Sequence, residues 1–269
     1  MYRSRTAEAV VLAAGLGSRM RAGGYKDPKP LVDLLGRPLL WWTLTGLEMA
    51  GIRKIIVVTG NRAAEISAWI AGECWAADID IVFNPDFRHG NGVSAKYGMD
   101  SVSSTHAILT MADHIVEQSI YRAAMSGSRR EDLRLVVDFE PTLRAQLDEP
   151  TRVLVDERGR IIDIGKEIDS WNCVDTGVFQ IGPAFRDAAE EVMRAGDGYY
   201  TVTQIVRHMI ADEMILRGVD SAGRFWLDID TSDDLRTAER ILSSSPHVIE
   251  AFGPRLEAVS PSGAEIANR

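Results

Sequence analysis

"VVLAAGLGSRM", residues 10–20, is an apolar run that ends in two glycines one residue apart, then a serine and an arginine. Burial of a core explains the first half and not the second. Glycine lets a backbone turn tightly and approach a ligand closely, and a planar guanidinium suits phosphate. Two familiar phosphate loops are excluded. A dinucleotide GxGxxG needs glycine where Met20 stands, and a GxxxxGK followed by Ser or Thr is absent. What remains is a strand, a short loop, and Lys29 within "DPKPLVDLLGRPLL", residues 27–40. Gly15, Gly17 and Ser18 offer backbone N–H groups to a triphosphate, while Arg19 and Lys29 neutralise it. The bland alternative is an ordinary strand-to-helix turn bordered by surface cations.

The rest of the composition narrows the partners. The chain has 269 residues, 45% hydrophobic and 26% charged, the balance of a folded domain with an ordinary core. Its formal net charge is −9, and lysines and arginines never run longer than a pair, which argues against nucleic acid. Cys74 and Cys173 are too far apart for a zinc knuckle or CxxC pair, so a reduced, cytoplasmic compartment is the expectation. No apolar run approaches the ~20 residues that span a bilayer. The oligomeric state, a homodimer among the options, is not legible.

Along the chain, "AVVLAAG", "KIIVVTG", "IDIVFNP" and "HAILTMAD" read as strands with nearly continuous apolar residues, as when helices cover both sheet faces. "PLLWWTLTGLEMAG" and "NRAAEISAWIAG" read as helices, the first opened by Pro38 and both closed by glycine. This predicts an α/β, Rossmann-like, mostly parallel sheet, with a nucleotide-binding half at 7–115. From Leu133 the texture turns β-rich, with a hairpin predicted at "DERG", residues 156–159. This stretch is expected to continue the same sheet as a second, ligand-binding half, 116–250, closing a single domain of 1–250. Helices are predicted near Pro183–Arg194 and Thr201–Ile215, a strand at "RFWLDID", and a last helix capped by Thr231. Residues 251–269 read as a tail.

"LAAGLGSRM…KPLVDLLGRPLL" resembles the signature of the sugar-phosphate nucleotidyltransferases, which join a nucleoside triphosphate to a phosphorylated acceptor and release pyrophosphate. The resemblance implies a GT-A-like fold. It places Leu12, Ala13, Ala14, Gly15, Gly17 and Ser18 around the nucleotide, with Arg19 and Lys29 on its phosphates. In "FNPDFRHGNGVSAKYG", residues 83–98, it adds Asn84, Asn91, Gly92 and Ser94, polar groups suited to a pyrimidine edge and ribose hydroxyls. A hydrolase elbow at Ser94 fails, because GxSxG needs glycine where Lys96 stands. The pattern is most similar to cytidylyltransferases acting on inositol 1-phosphate, and less so to phosphocholine cytidylyltransferases.

"ILTMADHIV" ends a strand in Asp113 and His114, and "WLDIDTSDD" supplies Asp228 and Asp230. Carboxylates at strand ends suit Mg²⁺, which the resemblance places on Asp113 and Asp230, with Asp228 the second choice and His114 a neighbour. "IIDIGKEIDSWNCVDTGVF", residues 161–179, carries the closest likeness to the inositol-phosphate enzymes. There Lys166 would hold the acceptor phosphate, and Asp175, Thr176 and Gly177 its hydroxyls. The expected activity is transfer of CMP from CTP to inositol 1-phosphate or a similar cyclitol or sugar phosphate, with Arg19, Lys29 and Lys166 as catalytic cations. The inositol-phosphate enzymes are often fused to a membrane-embedded phosphotransferase, and this sequence shows no such segment. Phosphocholine, a phosphonate or another NTP therefore stay open. So does a glycosyltransferase, because "DID" resembles that related fold's metal motif.

Overall fold

The computed structural model describes residues 8–127, 130–196 and 198–244, so the predicted tail at 251–269 lies outside them. The first half runs β1 (Glu8–Ala13), α1 (Ser18–Ala22), β2 (Asp33–Leu34), β3 (Arg37–Pro38), α2 (Leu39–Ala50), β4 (Lys54–Thr59), α3 (Ala63–Gly72), β5 (Asp78–Phe83), α4 (Asn91–Asp100) and β6 (Ala107–Met111). Then come β7 (His114–Val116), α5 (Gln118–Met125), β8 (Leu133–Asp138), α6 (Arg144–Leu147), β9 (Arg152–Val155), β10 (Ile161–Gly165) and β11 (Cys173–Ile181). The chain closes with α7 (Pro183–Ala195), α8 (Val202–Ala211), β12 (Leu216–Asp220), β13 (Trp226–Asp228) and α9 (Ser232–Ser244).

Among the described residues, nine strands form the central sheet, with β10-β9-β11-β6-β1-β4-β5 in a row, β8 paired to β11, and β12 paired to β8. β6, β1, β4 and β5 are parallel. Every residue of β1 is buried, because it lies mid-sheet with helices on both faces. One core joins β1, β6 and β11 to α4, α7 and α8 through residues such as Val10, Phe179, Phe185 and Ile205. The other joins the opposite face to α2 and α5 through Val11, Leu44, Ile120 and Tyr121. α2 is apolar nearly all round, and Trp41 and Trp42 turn from the sheet into a third cluster with Met20 and Leu235 of α9.

From β1 the chain builds outward through β4 to β5, then returns along α4 to place β6 on the other side of β1. That reversal opens a crevice beyond the C-terminal ends of β1 and β6, where open α/β sheets bind ligands. The loops at 14–17 and 112–113 rim it.

Several expectations change. β5 is an edge strand with Ile81 and Phe83 exposed, so helices do not cover both of its faces. The helix predicted to Ile215 stops at Ala211, and Glu213, at φ +58°, turns the chain into β12, a strand not anticipated. A boundary at 115 would cut β7, which pairs with β13. The two halves share β11, which bonds to β6, β8 and β9. The hairpin at residues 156–159 and the Thr231 cap are both present, the latter with Asp234 N–H donating to Thr231 Oγ1.

Candidate active site

The loop after β1 is shaped around Lys29. Gly17 sits at φ +60°, and a Cβ there would come within 2.9 Å of the Lys29 Cβ, so this position requires glycine twice over. At Gly15 a Cβ would meet nothing within 4 Å, which leaves open space over the backbone. Lys29 emerges from a single 3-10 turn behind Pro28 and is nearly buried. Its Nζ donates to Asp113 Oδ2 and to Asp230 Oδ1, each at 2.5 Å. Arg19, on α1, donates to the other oxygen of Asp230.

Each carboxylate is held by its own backbone. Asp113 follows β6, where Ala112 N–H donates to Leu12 O and Ile229 N–H to Asp113 O, at 3.0 Å each. Asp230 precedes α9, and its N–H donates to the Asp234 carboxylate that also closes the helix cap. β13 pairs with β7 so that Asp228 lies opposite His114. His114 Nδ1 is 2.9 Å from Asp113 Oδ1 and 3.8 Å from Asp228 Oδ1. One side-chain polar atom each of Asp113, His114 and Asp228 thus lies within 4.8 Å of the other two.

So many charges in a buried place displace their proton affinities. Burial works against the Asp113 carboxylate, yet Lys29 and His114 hold it well below the usual carboxylate range. Burial pushes Asp228 up to about 7 and Asp175 up to about 6. Burial also opposes a charged His114, but Asp228 and Asp113 outweigh it and raise the imidazole to about 9. Lys29 is driven above the usual lysine range by Asp113, Asp228 and Asp230 despite its burial.

A cavity of about 700 Å³ opens over Lys29, Asp113 and Asp230. The whole run 12–19 lines it, with Lys29, Asn91, Ser94, Asp113, Lys166 and Asp230, so most of the residues expected from sequence are brought together. Five do not line it. Asn84 is fully buried, donating to Ser94 Oγ at 2.9 Å and accepting the Asp86 N–H at 2.8 Å. Gly92 donates its N–H to Tyr200 O. Thr176 Oγ1 donates to Val136 O within the core, and Asp175 Oδ1 accepts the Gly177 N–H. Gly177, at φ +75°, sits in a register shift of β11 against the His114 ring. Thr151, Arg88, Tyr199 and Thr203 line the cavity and were not expected. Thr203 arrives on α8 and Tyr199 on the segment before it, where Tyr200 N–H donates to His89 O and Tyr200 O accepts the Gly92 N–H, pairings that leave no mark in a local motif.

Among the described residues no helix is long and apolar enough to cross a membrane. The chain is 32% identical over 234 residues to a protein of Thermococcus kodakarensis named bifunctional IPC transferase and DIPP synthase, covering 87% of this chain and 50% of that one. A protein of the same name from Rubrobacter xylanophilus is 34% identical over 239 residues, covering 87% and 51%. The chain therefore spans about half the length of these curated relatives. The CMP-5'-(3-aminopropyl)phosphonate synthase of Streptomyces rubellomurinus is 26% identical over 239 residues, covering 86% and 38%. The structure of the inositol-1-phosphate CTP transferase from T. maritima superposes with a TM-score of 0.82 at 23% identity, covering 94% of this chain and all of that one, a likeness of fold. The model of the MobA-like NTP transferase domain matches residues 9–158, the segment that supplies β1, the glycine loop, Lys29 and Asp113. The chain belongs to the MobA-like NTP transferase family.

Proposed function

We propose that this chain transfers CMP from CTP to a phosphorylated polyol, inositol 1-phosphate first among them, and releases pyrophosphate. One observation carries the reading. Arg19 Nη1 and Lys166 Nζ, one from the nucleotide loop and one from the acceptor hairpin, each lie 3.7 Å from the same oxygen of Glu149. Two cations that meet around one anion support a reading in which an acceptor phosphate and a nucleotide phosphate come together there.

The carboxylates fit a hard divalent cation. Oxygens of Asp113 and Asp230 converge on one ammonium, and Asp228 Oδ1 is buried without a hydrogen-bond partner. Asp113 and Asp230 would hold Mg²⁺, with Asp228 beside them. When bound, Mg²⁺ supplies charge neutralisation at the triphosphate. Arg19 and Lys29 draw in the triphosphate, and Lys166 holds the acceptor phosphate. An acceptor phosphate oxygen attacks the α-phosphorus in line, the bond to the β-phosphate oxygen breaks, and pyrophosphate leaves. That oxygen is already anionic, so positioning and charge suffice without a side-chain nucleophile. Ser94 Oγ accepts from Asn84, which leaves the Ser94 proton for a pyrimidine carbonyl.

The test is a pyrophosphate-release screen of four NTPs against inositol 1-phosphate, phosphocholine and an alkylphosphonate. CTP with inositol 1-phosphate should be fastest. Lys166→Ala should raise the acceptor KM and leave CTP binding unchanged. Faster turnover with GTP or ATP sinks the cytidylyl reading, and preference for phosphocholine sinks the polyol. A phosphonate preference would favour the second reading, which the similarity to the phosphonate synthase supports. Absence of pyrophosphate release with every pair favours the glycosyltransferase class instead.

A further inference from the structure

His114 stands among the carboxylates without facing the cavity. It is 8% exposed, and it is absent from the cavity lining that includes its neighbour Asp113. Its Nδ1 is 2.9 Å from Asp113 Oδ1, and a carboxylate can only accept there, so the nitrogen donates. The other oxygen of the same carboxylate, Oδ2, faces Lys29. The two oxygens of Asp113 are thereby divided, one turned inward to the imidazole and one outward to a cation.

The far edge of the ring is closed. A Cβ at Gly177 would lie 2.2 Å from His114 Cδ2 and 2.3 Å from Nε2, so β11 backbone covers that edge and glycine is what makes room for it. The main chain is pinned as well, by the β7–β13 register and by Thr43 Oγ1 donating to His114 O at 3.3 Å. A ring that is covered at Nε2 and committed at Nδ1 cannot turn a lone pair to a metal without displacing β11.

We propose that His114 is a positioning residue for the cation site and not one of its ligands: its Nδ1–H fixes the rotation of Asp113 and so aims Oδ2 outward. The role rests on the reading of Asp113 and Asp230 as cation ligands. Partners that orient metal-binding side chains in this way commonly carry a large share of the affinity. Through Gly177 the same ring ties the cation site to β11, the strand that carries Asp175.

Mn²⁺ binding to the whole chain, without nucleotide, tests this. The Asn side chain places its amide near the Nδ1 position and the Gln side chain near Nε2. His114→Asn should bind Mn²⁺ within about threefold of the wild type, and His114→Gln about tenfold or more weakly. Electron spin-echo spectra of the wild type with Mn²⁺ should lack the coupling of a directly bound imidazole nitrogen. That coupling in the wild type, equal weakening in both variants, or unchanged affinity in both overturns the positioning role alone. Failure of the wild type to bind Mn²⁺ at all overturns the cation reading of Asp113 and this role with it.

Discussion

Lys29 Nζ lies 2.5 Å from Asp113 Oδ2, joining the turn behind the glycine loop to a strand end 84 residues later. The same ammonium reaches Asp230, 201 residues on, at the same distance. Three segments that are remote in sequence thus share one charge balance.

Asp113→Asn and Asp230→Asn should each lower kcat on the order of 10²-fold in a folded chain whose melting temperature falls, because each removes a partner of the nearly buried Lys29. Each replacement keeps the shape and removes one of the negative charges that converge on Lys29. Their effects should be non-additive, because both carboxylates serve one cation. Steady-state kinetics on both single variants and the double variant decide it, and near-normal activity of either variant at low magnesium removes that residue from the site.

Gly15→Ala and Gly17→Ala should separate ligand contact from fold. At Gly15 the added methyl meets open space, so stability should hold while CTP affinity falls, because the backbone approach to the ligand is blocked. At Gly17 the methyl meets the Lys29 side chain in a left-handed backbone, so a loss of about 1–3 kcal/mol of stability is expected as well. Thermal unfolding beside CTP titration distinguishes the two.

Asn84→Ala should act through Ser94. It leaves the Asp86 N–H and the Ser94 hydroxyl without their partner, at a cost of about 1–3 kcal/mol for a buried group. CTP affinity should fall although Asn84 does not line the cavity. An unchanged CTP affinity in a folded variant would show that Ser94 does not contribute to nucleotide binding.

The metal-free protein should lose stability as pH rises from about 4 to about 9. Asp175 and Asp228 are raised to about 6 and about 7, and His114 to about 9, so the folded chain holds more protons than the unfolded chain throughout that window. Asp113 and Asp230 are lowered, so what they contribute is complete above the usual carboxylate range and is lost only in stronger acid. Asp228→Asn should flatten the fall below pH about 7 and also shrink the part owed to His114, because Asp228 is the charge that raises the imidazole most. Melting temperatures across this range in the presence of a chelator measure both.

The run Val10–Ala14 and the turn at Gly17 could be read directly, because burial on both sheet faces and left-handed backbone impose local residue choices. The same holds for the hairpin at residues 156–159 and the cap at Thr231, whose bonds lie within a few residues. Asn84 shows where local reading stops. An asparagine amide suits a nucleobase as well as it suits protein, and only the packed fold shows both of its ends spent on Ser94 and Asp86. Thr176 likewise turned out to bond the core at Val136. The meeting of Asp113 with Lys29, His114, Asp228 and Asp230, and the arrival of Tyr199 at the cavity, depend on where the sheet order reverses and how β7 pairs with β13. Such long-range pairings are set by the packing of the whole chain, so side chains remote in sequence become neighbours without any local pattern announcing it.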